Sequence, residues 1–70
     1  MSLPILSAQE VVRGLEANGF VMVSQRGSHR KFRSDGAVVI VPMHREIARG
    51  TLRSILEQAG LTIEELLKAQ

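Results

Sequence analysis

Apolar residues recur along this chain with two different spacings, and the change of spacing marks its elements. Between residues 8 and 18, Ala8, Val11, Val12 and Leu15 fall on one side of a helical wheel, so the spacing predicts a helix over 8–18. Ser7 followed by Glu10 opens that helix as a capping box, in which hydroxyl and carboxylate each satisfy an orphan backbone N–H. Asn18-Gly19 closes it, because both residues accept the left-handed backbone that a helix end needs. Phe20 to Gln25 is then rich in residues that suit a pleated surface and reads as a strand, broken by Gly27-Ser28. His29–Arg33 and Ala37–Pro42 read as two more strands, joined through Ser34-Asp35-Gly36. Asp-Gly is a hairpin signal, since tight turns require positive φ. Pro42 ends the last strand, where its missing N–H costs least.

Helical spacing returns after a loop from Met43 to Gly50. Thr51 is placed to cap a helix whose inner face is Leu52, Ile55, Leu56 and Ala59, with Gly60 at its end. Thr62 and Glu65 repeat the capping box and open a short amphipathic helix through Leu66 and Leu67. The expected fold is therefore α+β: helix, three-stranded antiparallel sheet, helix and a short C-terminal helix, forming one domain over residues 1–70. Three strands are not stable alone, so both main helices should cover one sheet face and leave the other open. A chain of this length buries only ~60% of its unfolded surface, so the core should be thin.

Register and alternation then assign side chains to faces. With Asp35-Gly36 as a two-residue loop, Ser34 pairs with Ala37 and His29 falls opposite Pro42; a three-residue loop puts His29 opposite Val41. In either case His44 follows closely, and at ~3.3 Å per residue the two histidines should lie within roughly 10 Å at one end of the sheet. Alternation sends Phe32 and Arg30 to one side and His29, Lys31 and Arg33 to the other. Phe32 belongs in the core, so His29, Lys31 and Arg33 should face outward.

Composition and charge sharpen this picture. Residues 26–53 carry Arg26, Arg30, Lys31, Arg33, Arg45, Arg49 and Arg53 against only Asp35 and Glu46, whereas acids outnumber bases in the remainder. A basic centre in an otherwise acidic chain is what a nucleic-acid contact surface looks like. Two phenylalanines without Trp or Tyr argue against a single-strand binder built on aromatic stacking platforms. The absence of cysteine removes disulfides and thiolate metal sites and fits a reducing cytoplasm. No apolar run approaches the ~20 residues of a membrane span, and Met1 to Ser7 lacks the basic start and long apolar stretch of a signal peptide.

The order Asn18-Gly19-Phe20, Gly27-Ser28-His29, Val41-Pro42-Met43-His44 and Gly50 to Leu61 resembles the HicA family of mRNA interferase toxins over about residues 7–66. Each motif is weak alone, but the combination in this order and spacing is highly specific. The resemblance implies a fold like that of a double-stranded-RNA-binding domain and a toxin role in a type II toxin–antitoxin pair. It also implies ribosome-independent endoribonuclease activity on mRNA, neutralisation by a HicB-type antitoxin protein, and His29 as the essential residue. Relatives often carry a lysine in the first turn of the first helix, where this chain has Gln9. The loop Arg45 to Arg49 is shorter and less lysine-rich than in many relatives, so grip from that loop would rest on Arg45 and Arg49.

RNA carries its own nucleophile, the 2′-hydroxyl, beside the scissile phosphate. A neutral imidazole suits the task of taking its proton, so His29 is the candidate general base. Lys31, Arg30 or Arg33 can stabilise charge on the phosphate oxygens, with Arg26 completing the basic strip. His44 is a candidate acid for the leaving 5′-oxygen or a loop anchor, and Ser28 a turn residue or phosphate ligand, since nothing points to a triad. Two histidines without clustered carboxylates or cysteines make a poor metal site, so neither metal nor cofactor is expected. A non-catalytic RNA-binding module using the same basic face is the alternative. A helix-turn-helix DNA reader fits poorly, because residues 61–70 carry only Lys68 against two glutamates.

Overall fold

Both capping boxes form as the spacing predicts. At the first, the Ser7 N–H donates to Glu10 Oε1 at 2.9 Å and the Glu10 N–H to Ser7 Oγ at 3.1 Å. At the second, the Thr62 N–H donates to Glu65 Oε1 at 2.8 Å and the Glu65 N–H to Thr62 Oγ1 at 3.1 Å. The computed structural model describes residues 3–68. Its elements follow in the expected order: α1 (Ala8–Ala17), β1 (Val21–Arg26), β2 (His29–Ser34), β3 (Ala37–Pro42), α2 (Arg49–Ala59) and α3 (Ile63–Lys68). The strands form one antiparallel sheet in the order β1-β2-β3, so the fold is α+β.

The β2–β3 register runs from His29 opposite Pro42 to Ser34 opposite Ala37, the two-residue-loop solution. Asp35 takes the positive φ of this turn, at 51°. The β1–β2 hairpin also turns in two residues, Gly27 and Ser28, with Arg26 opposite His29 and Gly27 at φ 57°. Alternation along β2 is as expected: His29, Lys31 and Arg33 are exposed, Phe32 is buried and Arg30 half-buried. The core gathers Phe32, Val39 and Val41 from the sheet, Val11 and Leu15 from α1, Leu52 and Ile55 from α2, and Leu66 from α3.

Four features depart from the expected pattern. The left-handed residue after α1 is Gly19, at φ 92°, while Asn18 keeps φ −98°. Asn18 instead ties two helices together, its Nδ2 donating to the Gly14 carbonyl at 2.8 Å and the Glu65 carbonyl at 3.1 Å. Helix α2 starts at Arg49 with Ala48 as its N-cap and no side-chain cap, rather than at a Thr51 cap. The Leu52 N–H already bonds the Ala48 carbonyl at 2.9 Å, so Thr51 lies inside the first turn. The loop before α2 is also anchored, because Ile47 is buried and bridges to Leu6. Lastly, β1 is displaced by one residue from 20–25 and carries a bulge between Met22 and Ser24.

Helices α1 and α2 pack on β3 and leave β1 outside the covered area. All six β1 residues are exposed. The outer edge of β3 is partly closed by α2, where Gln58 Oε1 accepts from the Ile40 N–H at 3.4 Å. Among the described residues nothing comparable covers the outer edge of β1, and its bulge is a device that discourages a second sheet from adding there.

Candidate functional site

Cross-strand pairing decides which side chains share the uncovered face. Directly opposed residues in an antiparallel sheet point to the same side. Arg26 and Pro42 therefore flank His29, Ser24 and Ile40 flank Lys31, and Val21 and Val38 flank Arg33. The uncovered face thus alternates cations with apolar residues, and Val21, Val38 and Ile40 are all substantially exposed. A cleft of about 370 Å³ opens there, lined by Ser24, Arg26, His29, Lys31 and Ile40 together with Gln25 and Arg30. Among the described residues, no carboxylate lines it. The imidazole of His29 thus sits in a cationic recess at the end of the sheet. Cross-strand pairing through Gly27-Ser28 brings Ser24 into that recess, a position that residue type alone did not single out.

The segments carrying the two histidines are tied through the backbone, but the histidines line different clefts. The Met43 N–H donates to the Ser28 carbonyl at 2.6 Å, tying the residue before His44 to the residue before His29. His44 nevertheless lines a different cleft, of about 470 Å³, formed with Ser7, Ala8, Gln9, Arg30, Met43 and Arg45. Its carbonyl accepts from the Ala8 N–H at 3.0 Å, fixing the loop to the start of α1. Glu10, in the first turn of α1, caps the helix start beside this cleft. The Ser7 backbone N–H and then the Ser7 hydroxyl hold its carboxyl below the usual range, against an opposing effect of desolvation, with the charge of Arg13 contributing least.

Arg30 lines both clefts. Its Nε is buried and finds no hydrogen-bond acceptor among the described residues. Arg33 continues the exposed face two residues beyond Lys31. Ser28 occupies the β1–β2 turn, with its carbonyl engaged by Met43. Arg49 lies apart: its Nε donates to the Leu3 carbonyl at 2.7 Å, and it lines a recess with Leu3, Gly50 and Arg53. The structure thus groups Arg26, His29, Arg30 and Lys31 in one cleft and Arg30, His44 and Arg45 in another, with Arg49 in neither. Among the described residues, no three His, Cys, Asp or Glu side chains cluster as metal ligands, and no helix is long and apolar enough to cross a membrane.

The arrangement defines a class: a small α+β protein in which helices cover one face of a short sheet and the other presents a histidine among cations. The family described as the HicA toxin of bacterial toxin–antitoxin systems matches residues 8–61. That span takes in both helices packed on the sheet, all three strands, the whole of the first cleft and all of the second but Ser7. The chain belongs to the HicA toxin family. Among curated proteins, none matches the chain.

Proposed function

We propose that this toxin is an endoribonuclease that cleaves mRNA with His29 as its general base, needing no metal, and that a HicB-type antitoxin protein holds it inactive in the cytoplasm. The observation that carries this reading is the exposed His29 imidazole in a cleft with Arg26, Arg30 and Lys31 and no carboxylate. His29 takes the proton of the 2′-hydroxyl as that oxygen bonds to phosphorus. The bond from phosphorus to the 5′-oxygen breaks, leaving a 2′,3′-cyclic phosphate and a free 5′-hydroxyl. Arg26 and Lys31 stabilise the charge that builds on the non-bridging oxygens. The departing 5′-oxygen needs a proton, and Lys31 shares the His29 cleft whereas His44 lines the other, which favours Lys31 as donor. The nucleophile belongs to the substrate, so DNA is not cut.

The apolar residues on the same face support the antitoxin reading. Val21, Val38 and Ile40 lie among cations, a surface suited to a partner that offers both acidic and apolar side chains. Such a partner would cover His29 as it docks.

Induced expression of the wild type and His29→Ala, with growth and total mRNA followed over time, tests the proposal. His29 is exposed, so its removal should leave the fold intact while slowing cleavage of purified RNA by roughly 10²–10⁴-fold. Equal transcript loss with both proteins sinks the role of His29. Salt-dependent RNA binding without any cleavage by the wild type replaces the enzyme with a non-catalytic RNA-binding module.

A further inference from the structure

We infer that an RNA strand held in the His29 cleft passes over Arg30 into a second phosphate-binding cleft on the helix side of the sheet, formed by Arg30, His44 and Arg45. This deepens the proposed function and rests on it. The second cleft has the chemistry of a phosphate site: two arginines and a histidine line it, and among the described residues no Asp or Glu does. A guanidinium presents a fork of donors matched to phosphate oxygens. One of those donors, Arg30 Nε, is buried with no acceptor among the described residues. That nitrogen is too enclosed to meet a ligand itself, but with no acceptor there the charge of the guanidinium is left for an anion beside it to offset.

The walls of this cleft are set before any ligand arrives. The bond from the Met43 N–H to the Ser28 carbonyl and that from the Ala8 N–H to the His44 carbonyl pin the Met43–Arg45 segment to both the β1–β2 turn and α1. His29 and Arg30 are consecutive in β2 and, by alternation, serve opposite sides of the sheet. Arg30 lines both clefts, so the two recesses adjoin at this residue, and a polyanion leaving Arg26 and Lys31 on the open face can reach Arg30 and Arg45 on the other side. A mononucleotide or free phosphate fills one cleft at a time, whereas an oligonucleotide can fill both. The proposed path therefore makes recognition depend on RNA length.

Amide chemical-shift mapping of the full-length, isotope-labelled protein tests the path without requiring turnover. Three probes are compared: inorganic phosphate, a 2′-O-methyl RNA dinucleotide and a 2′-O-methyl RNA hexanucleotide, both oligonucleotides lacking the nucleophile. The dinucleotide should move residues 24–31, and the hexanucleotide should also move 7–9 and 43–45. Arg45→Ala should lower the salt dependence of hexanucleotide affinity by about 0.7 in log–log slope, the loss of one single-strand phosphate contact. Arg45→Lys should restore most of that slope. Arg45 is exposed, and a dispersed amide spectrum checks that each variant folds. A hexanucleotide map confined to the His29 cleft, or an unchanged slope in Arg45→Ala, overturns the inference. A second cleft that responds to inorganic phosphate as strongly as to the hexanucleotide also overturns it, as an isolated anion site. Both clefts responding while the wild type fails to cleave unmodified RNA sinks the nuclease reading and leaves the binding path in place.

Discussion

Replacing Gly14 with alanine tests the frame that holds the sheet. Gly14 is buried in the middle of α1, and a methyl group there would lie 2.6 Å from Leu66 Cδ1 and 2.6 Å from the Leu66 carbonyl oxygen. The leucine side chain could rotate away, but the carbonyl belongs to the α3 backbone and cannot. The least costly response is for α3 to undock. That forfeits burial of Leu66, which is fully enclosed and stabilises by about 1.5–3 kcal/mol. It also breaks the bond from Asn18 Nδ2 to the Glu65 carbonyl, about 0.5–1.5 kcal/mol net. Alanine returns about 1 kcal/mol as the better helix former. The balance is a loss of roughly 1–3.5 kcal/mol, and each kcal/mol lowers Tm by about 4–8 °C in a domain of this size. Thermal and urea unfolding followed by far-ultraviolet circular dichroism measure it. With Leu66→Ala already in place, Gly14→Ala should cost less than it does alone, because part of the contact has gone. A Tm for Gly14→Ala equal to or above that of the wild type refutes the reasoning, since helix propensity would then have outweighed the clash.

Glu10 gives a pH signature. Its carboxyl is held below 4.5 in the folded chain, so its stabilising contribution is present above about pH 4.5 and lost as pH falls through the folded value. Glu10→Gln should therefore lower Tm at pH 7 and converge on the wild type in acid; a pH-independent gap refutes this. Gly60 caps α2 at φ 69°, with open space around the position of a Cβ. Gly60→Ala should cost about 1–2 kcal/mol through backbone strain alone, and Gly60→Asn less, both read from urea midpoints. Lys31→Ala removes an exposed cation from the His29 cleft, so it should slow RNA cleavage roughly ten- to hundredfold, the loss of a charge-assisted contact. Its Tm should stay within about 2–4 °C of the wild type, as for a surface substitution of about 0.5 kcal/mol; unimpaired cleavage would remove Lys31 from the proposed chemistry.

Features that depend on residues near one another in the chain were legible in the sequence. Ser7 with Glu10 and Thr62 with Glu65 sit three residues apart, and each pair makes its reciprocal bonds. Asp35-Gly36 marks a hairpin that counting narrows to two registers, of which the structure takes the two-residue loop. What counting misses is contact between distant segments. The Leu6–Ile47 bridge turns an apparently irregular loop into core, and α2 begins early because the segment from Ile47 is already held in place. Gly14 shows no local reason to be glycine; its reason is Leu66, brought against it by the fold.

The candidate site divides along the same line. Alternation identified the exposed face of β2, since Phe32 had to point inward and its neighbours outward. The same counting brought His29 and His44 together as positions along a hairpin. It could not say that beyond Pro42, which ends β3 as its missing N–H suggested, the chain turns toward α1, where the Ala8 N–H engages the His44 carbonyl. That turn sends His44 to the helix side with Arg45, while His29 stays in the cleft on the open face. Proximity in register thus produces two basic recesses, with His29 lining one and His44 the other. Arg30, assigned to the inner side by alternation and half-buried there, is the residue through which the two recesses join.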